Sequence, residues 1–155
     1  MNKLERLEQE AFDDQVTVYD YYLGEDNLKG YYTDGNVAIN TCVDTTAERM
    51  CVLAEELGHH HTSVGNILDM SDSGNRKQER QARLWGFNKL IGLTGLVRAY
   101  EAGCRNGYEI AEYLEVTEEC LTECIEAYRS KYGIGVMVNN YYIMFIPHLA
   151  VGKVV

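Results

Sequence analysis

Residues 45–61 form one predicted helix, and its side chains limit the folds open to this chain more than any other segment does. Apolar residues recur along it at helical spacing, and it ends in three consecutive histidines, 59–61. Thr45 or Thr46 can begin the helix as its N-terminal cap. The apolar residues are Met50, Leu53, Ala54 and Leu57. We therefore expect a helix that buries one stripe against a core and ends in a group of imidazoles.

The polar residues of this helix have the spacing of a metal site. Glu55-Glu56-Leu57-Gly58-His59 differs at its first position from His-Glu-x-x-His, whose outer residues share a helix face and bind one zinc ion. Carboxylates also bind zinc, at about 2.0–2.2 Å. The pattern predicts Glu55 and His59 as metal ligands and Glu56 as the catalytic base, with His60 and His61 as alternative ligands. The other interpretation is a solvated helix surface, on which glutamate pairs are common.

One glycine interrupts this helix immediately before the predicted ligand His59. Glycine is a poor residue for a helix interior, destabilising it by roughly 1 kcal/mol relative to alanine. Gly58 therefore indicates a close approach, either of another stretch of backbone or of a substrate.

Composition and cysteine usage favour one cytoplasmic domain. At 155 residues and 46% apolar, the chain is predicted to form a single domain, 1–155, around one core. No run approaches the roughly 18 consecutive apolar residues of a membrane span, and residues 1–14 lack the apolar stretch of a secretion signal. The five cysteines follow no disulfide pattern, so we expect them to be reduced. Cys120 and Cys124 share a helix face and are either core residues or metal ligands.

Strand-type sequence lies near both ends of the chain, with helical sequence between. The fold class is therefore α+β, and we expect the two strand regions to join in one small sheet. We also expect the strand before the 45–61 helix to have a free edge that can hold an extended peptide. Polar residues 63–75 are predicted to form a loop. The predicted strands are 16–23, 31–39 with a turn at Asp34-Gly35, 135–138 and 141–146, and the other helices are 3–12, 76–90 and shorter segments to 131.

Residues 108–125 have the cadence of a helix-turn-helix, but their charge argues against DNA. Ala111, Leu114, Val116 and Leu121 fall where that motif packs. Four glutamates on the second helix would repel phosphates, as would the net charge of −10. They are Glu118, Glu119, Glu123 and Glu126. We expect a packing module, or a dock for a basic partner.

Over residues 31–132 the chain resembles the ImmA/IrrE family of metallopeptidase-like proteins, often carried by phages and mobile elements. Four features in the same order support this: the strand at 35–40, the segment 54–60, the segment 79–87 and the helical sequence after it. Segment 54–60 looks like the family's Ala-His-Glu-Leu-Gly-His. Segment 79–87 is similar to its Glu-x-x-Ala-x-x-Phe-Ala, whose glutamate is a metal ligand.

The resemblance implies a zincin-like fold with a helix-turn-helix-like region at 104–131, and it makes Glu79 the third ligand. Taken alone, Glu79 could equally be one charge on a solvated helix end. Three protein ligands that leave one position open for water are the pattern of a catalytic zinc. Because Glu55 makes the site rich in carboxylate, another divalent metal such as manganese or iron would also suit it.

The function implied is a cytoplasmic metal-dependent endopeptidase that cleaves a protein substrate, a helix-turn-helix repressor of a mobile element. Two carboxylate ligands would leave the reacting water less acidic than three neutral histidines do. The alternative is therefore a non-catalytic metal-binding regulator that acts by protein–protein binding.

Overall fold

The computed structural model describes residues 1–25, 28–62 and 72–154, and it is α+β as predicted. Six helices and six strands lie within these ranges. The chain packs as two compact units, Met1–Gly86 and Phe87–Val155. Of the predicted loop at 63–75, residues 63–71 lie outside the described residues, and residues 72–75 are helical.

The first unit is a three-stranded sheet with helices. Its elements are α1 (Lys3–Asp13), β1 (Thr17–Tyr21), β2 (Gly30–Thr33), β3 (Asn36–Asn40), α2 (Thr46–Thr62) and the first part of α3 (Asp72–Leu90). The strand order is β1-β3-β2, with β1 parallel and β2 antiparallel to β3. Asp34 and Gly35 both have positive φ, which closes the predicted tight turn between β2 and β3.

The strand before α2 is the centre of this sheet, which corrects the expectation that it offers a free edge. β3 is paired with β1 on one side and with β2 on the other, so its backbone groups are engaged in both directions. β1 and β2 are the outer strands instead. Val37 and Ile39 of β3 are fully buried in the core of this unit.

The second unit packs short helices with an antiparallel sheet. Its elements are α4 (Gly92–Glu101), α5 (Gly107–Leu114), α6 (Glu118–Tyr132), β4 (Gly135–Val138), β5 (Tyr141–Met144) and β6 (Ala150–Lys153). α5 and α6 are the predicted helix-turn-helix-like pair. Glu115 is left-handed after α5, and the Thr117 side chain caps α6 by accepting from the Cys120 backbone at 3.0 Å. The four predicted packing residues of this motif are all buried.

The expectation of one shared sheet was wrong, because each strand group completes its pairing locally. β4 and β5 form a hairpin around Asn139-Asn140, and β5 then pairs with β6, a strand that the sequence pattern did not indicate. The two strand regions therefore form separate three-stranded sheets. A two-residue turn brings neighbouring strands together at little entropic cost, whereas joining the ends of the chain requires a long closure.

Cys120 and Cys124 are core residues of the second unit. Both are buried, and burial raises the pKa of the Cys124 thiol to about 12, so it is neutral at physiological pH. All five cysteines are free thiols. Among the helices described, none combines the length and the apolar character needed to cross a membrane.

Candidate metal centre

α2 forms where the apolar spacing predicted a helix. Thr45 caps its first turn, accepting a hydrogen bond on Oγ1 from the Glu48 backbone N–H at 3.1 Å. The predicted stripe, Met50, Leu53, Ala54 and Leu57, is buried. Burial of that stripe fixes which way the remaining faces of α2 point, and so where its polar residues lie.

The structure brings Glu55, His59 and Glu79 together. One ligand atom from each lies within 4.8 Å of the other two, close enough for the three residues to hold one metal ion. His59 Nε2 is 3.3 Å from Glu79 Oε1. Glu55 and His59 are half-buried on α2, while the Glu79 side chain, on α3, is 55% exposed. Two residues of one helix and one from a second helix thus converge, as predicted.

Glu79 reaches α2 because the backbones of α2 and α3 touch. A Cβ on Gly58 would collide with the backbone of Ala82, and a Cβ on Gly86 would crowd the backbone of Ala54. Small residues at a helix contact let two helix axes approach closely. The expectation that Gly58 marks a close approach is therefore confirmed, and the approaching group is the backbone of α3.

Glu56 is a buried carboxyl group on the side of α2 that faces β2. It is 7% exposed, and a Cβ on Gly30 of β2 would press on its Cγ. Burial, and then the negative charges of Glu55 and Glu79, raise the pKa of Glu56 from 4.5 to about 8. Before any cation is bound, this carboxyl is therefore mostly protonated at neutral pH.

His60 and His61 lie outside the Glu55–His59–Glu79 group and contact other side chains. His60 Nδ1 shares a hydrogen bond of 2.7 Å with the hydroxyl of Tyr32, which accepts another from the Gly35 backbone N–H at 3.1 Å. His61 Nε2 is 3.1 Å from a carboxylate oxygen of Asp14. Sequence reasoning missed Tyr32. In the sequence, Tyr32 is distinguished only by its position in the strand before the Asp34-Gly35 turn, which does not mark it as a functional residue.

The donor set fits a divalent cation. Two ligands bound tetrahedrally to one zinc ion at about 2.0–2.2 Å lie about 3.3–3.6 Å apart, and His59 and Glu79 have this separation. The charges of Glu55 and Glu79 also lie close enough to the Glu56 carboxyl group to oppose its ionisation. A dication would offset that repulsion. Without one, His59 and Glu79 form an ion pair when the imidazole is protonated.

Comparison with known proteins gives one match. The family model described as IrrE N-terminal-like domain, Peptidase_M78, matches residues 9–125, which is more than half of the chain and includes all three residues of the group. Neither a search of curated proteins nor a search of solved structures found a match.

Proposed function

The chain belongs to the IrrE N-terminal-like family of metallopeptidases, and on that basis we propose that it is a metal-dependent endopeptidase that cleaves a regulatory protein. The observation that carries the proposal is the convergence of Glu55, His59 and Glu79 beside the buried carboxyl group of Glu56. From the family resemblance of residues 31–132, we infer that the substrate is a helix-turn-helix repressor of a mobile element.

Each residue of the group has a separate task in this mechanism. Glu55, His59 and Glu79 would hold the cation, which is zinc or another divalent metal. When bound, the cation supplies Lewis acidity, which polarises the scissile carbonyl and makes a water molecule more acidic. Glu56 accepts the proton of the attacking water and delivers it to the departing amine.

The burial of Glu56 serves this proton transfer. Burial is the main cause of its raised pKa, and a proton acceptor whose pKa lies near the working pH suits general base catalysis. The smaller contributions from the charges of Glu55 and Glu79 would be offset once these residues hold a dication. The low solvent exposure also keeps bulk water from competing for the proton.

The outer edge of β2 is the place we propose for the extended substrate. β2 is an outer strand of its sheet in the described part of the chain, and its Gly30 lies directly against Glu56. A peptide that adds to this edge by backbone hydrogen bonds would bring its carbonyl groups to the catalytic side of α2.

The second candidate function is that of a regulator that binds the metal but does not cleave a protein substrate. It is favoured by Glu55, because a second carboxylate ligand neutralises more of the cation's charge and so leaves the reacting water less acidic. This protein would act on its partner by binding alone.

Glu56→Gln separates the two functions, because glutamine keeps the size of the side chain but cannot accept the proton. If the protein is a peptidase, the variant should cleave its repressor substrate about 10²–10⁴-fold more slowly. Derepression would be measured in matched strains, with the exposed Glu126→Gln as the control that retains activity.

Metal analysis of the same purified variants completes the test. Both glutamine variants should hold about one divalent ion per chain, and His59→Ala should lose it. If wild type and Glu56→Gln derepress equally, the peptidase is excluded and the regulator remains.

A further inference from the structure

The side chain of His61 is stacked on the only tryptophan of the chain, at the end of α2. The ring centroids of His61 and Trp85 are 4.7 Å apart and the ring planes are inclined by 17°. His61 lies on α2, two residues after His59, and Trp85 lies on α3, six residues after Glu79. The stack therefore joins the two helices that carry the candidate ligands.

Further contacts fix the orientation of the His61 ring. A carboxylate oxygen of Asp14, the C-cap residue that follows α1, lies 3.1 Å from its Nε2. The ring also meets His60 edge-on, with centroids 5.1 Å apart, and His60 is in turn hydrogen-bonded to Tyr32 of β2. A ring held on several sides has few alternative rotamers, so it presents a rigid surface to Trp85.

The contacts between the backbones of α2 and α3 leave two motions weakly opposed, sliding and rotation of one helix past the other. Gly58 touches Ala82, and Gly86 touches Ala54, so these contacts set how near the helices lie. Such small residues make a smooth interface, which resists sliding or rotation of one helix past the other only weakly. The stacked rings resist both motions, because either one would separate the ring faces.

We propose that the His61–Trp85 stack positions Glu79 against His59 and thereby sets the affinity of the site for its metal ion. The inference rests on the proposed metal site, and it concerns two side chains outside the Glu55–His59–Glu79 group. Glu79 needs such support, because it is 55% exposed on a different helix from its partners and its oxygen must meet His59 Nε2, now 3.3 Å away. A ligand held in place loses less conformational freedom when it binds.

The test compares metal affinity among stack variants of the full chain. The variants are Trp85→Ala, Trp85→Phe and His61→Ala, with Ile39→Val in the buried centre of β3 as a control for general destabilisation. Zinc dissociation constants would be measured by competition with a chromophoric chelator, and melting temperatures would be measured without metal. We expect Trp85→Ala and His61→Ala to weaken zinc binding about 10-fold or more, in the range seen for outer-shell partners of metal ligands.

The conservative variant and the control decide the interpretation. Trp85→Phe keeps an aromatic face on His61, so it should restore most of the affinity, and Ile39→Val should bind zinc like wild type. If the Trp85→Ala and His61→Ala variants bind zinc as tightly as Ile39→Val does, the positioning role is wrong and the metal site itself is unaffected. If the wild-type protein binds no zinc, both the metal site and this inference are wrong. If the Trp85→Ala variant does not fold, the His61→Ala variant decides the test.

Discussion

At the scale of single residues, Glu56 shows how the fold changes the ionisation of a side chain at the candidate site. The side chain is buried beside two other carboxylates, so the folded protein holds its proton to a higher pH than the unfolded chain does. Its pKa is about 8 when folded, against an ordinary value of 4.5. Between these two pH values the folded state therefore binds more protons than the unfolded state, which ties the stability of the metal-free protein to pH.

We predict that the metal-free protein loses stability as the pH rises from about 4.5 to about 8. The contribution of Glu56 is fully present below pH 4.5 and is lost above its folded pKa, with a slope of at most roughly 1.4 kcal/mol per pH unit. Urea unfolding at several pH values, with excess chelator, measures the free energy of unfolding. The Glu56→Gln variant should show a flatter dependence, since its side chain does not titrate. Parallel curves for the two proteins would contradict the raised pKa.

At the scale of secondary-structure elements, the contact between α2 and α3 determines whether the metal site exists. α2 supplies Glu55 and His59 from one face, but a third ligand must come from α3. Two glycines permit that contact: a Cβ on Gly58 would collide with the facing backbone, and a Cβ on Gly86 would crowd it. Glycine at these two positions therefore allows the two helices to touch, although glycine weakens a helix interior.

We predict that Gly58→Ala destabilises the protein and weakens metal binding together. A methyl group there must displace the backbone of Ala82, which typically costs about 1–3 kcal/mol and moves Glu79 away from His59. Thermal unfolding and a zinc titration would measure the two effects. Gly152→Ala is the matched control, because a Cβ at that position meets no atom within 4 Å. A stable Gly58→Ala with wild-type zinc affinity would show that the helices do not need this approach.

At the scale of the whole molecule, charge favours some classes of partner over others. The net charge is −10, and residues 106–127, which hold α5 and most of α6, contain seven glutamates and no lysine or arginine. Five of these glutamates are exposed. Electrostatic attraction drives association with DNA, and this surface has the wrong sign for it. A basic protein partner is the class that such a surface favours.

We predict that the intact protein does not bind DNA through its helix-turn-helix-like pair. Phosphates would meet Glu118 and Glu119 at the start of α6, where the motif would enter the groove. A gel-shift titration at physiological salt should show no retarded species. A double variant, Glu118→Lys with Glu119→Lys, is the comparison, since reversed charge should add some nonspecific binding. Sequence-specific retardation of the wild-type protein would contradict the prediction.

Local patterns were enough to predict α2 and the part of the candidate site that lies on it. The apolar spacing located α2, Thr45 marked its start, and residues four apart placed Glu55 and His59 on one face. The buried positions of the helix-turn-helix-like pair followed in the same way. These features depend on geometry that repeats within one turn of helix, so a short stretch of sequence determines them.

Only the tertiary structure shows which distant segments of the chain contact each other. Glu79 could be assigned only by resemblance, because nothing in its own surroundings indicates that α3 brings it to within 3.3 Å of His59. The separate sheets, the central position of β3 and the contacts of His60 and His61 likewise remained beyond local patterns. Their common cause is packing. Which strands pair and which helices touch depends on the fit of surfaces far apart in the chain, and the spacing of neighbouring residues does not encode that fit.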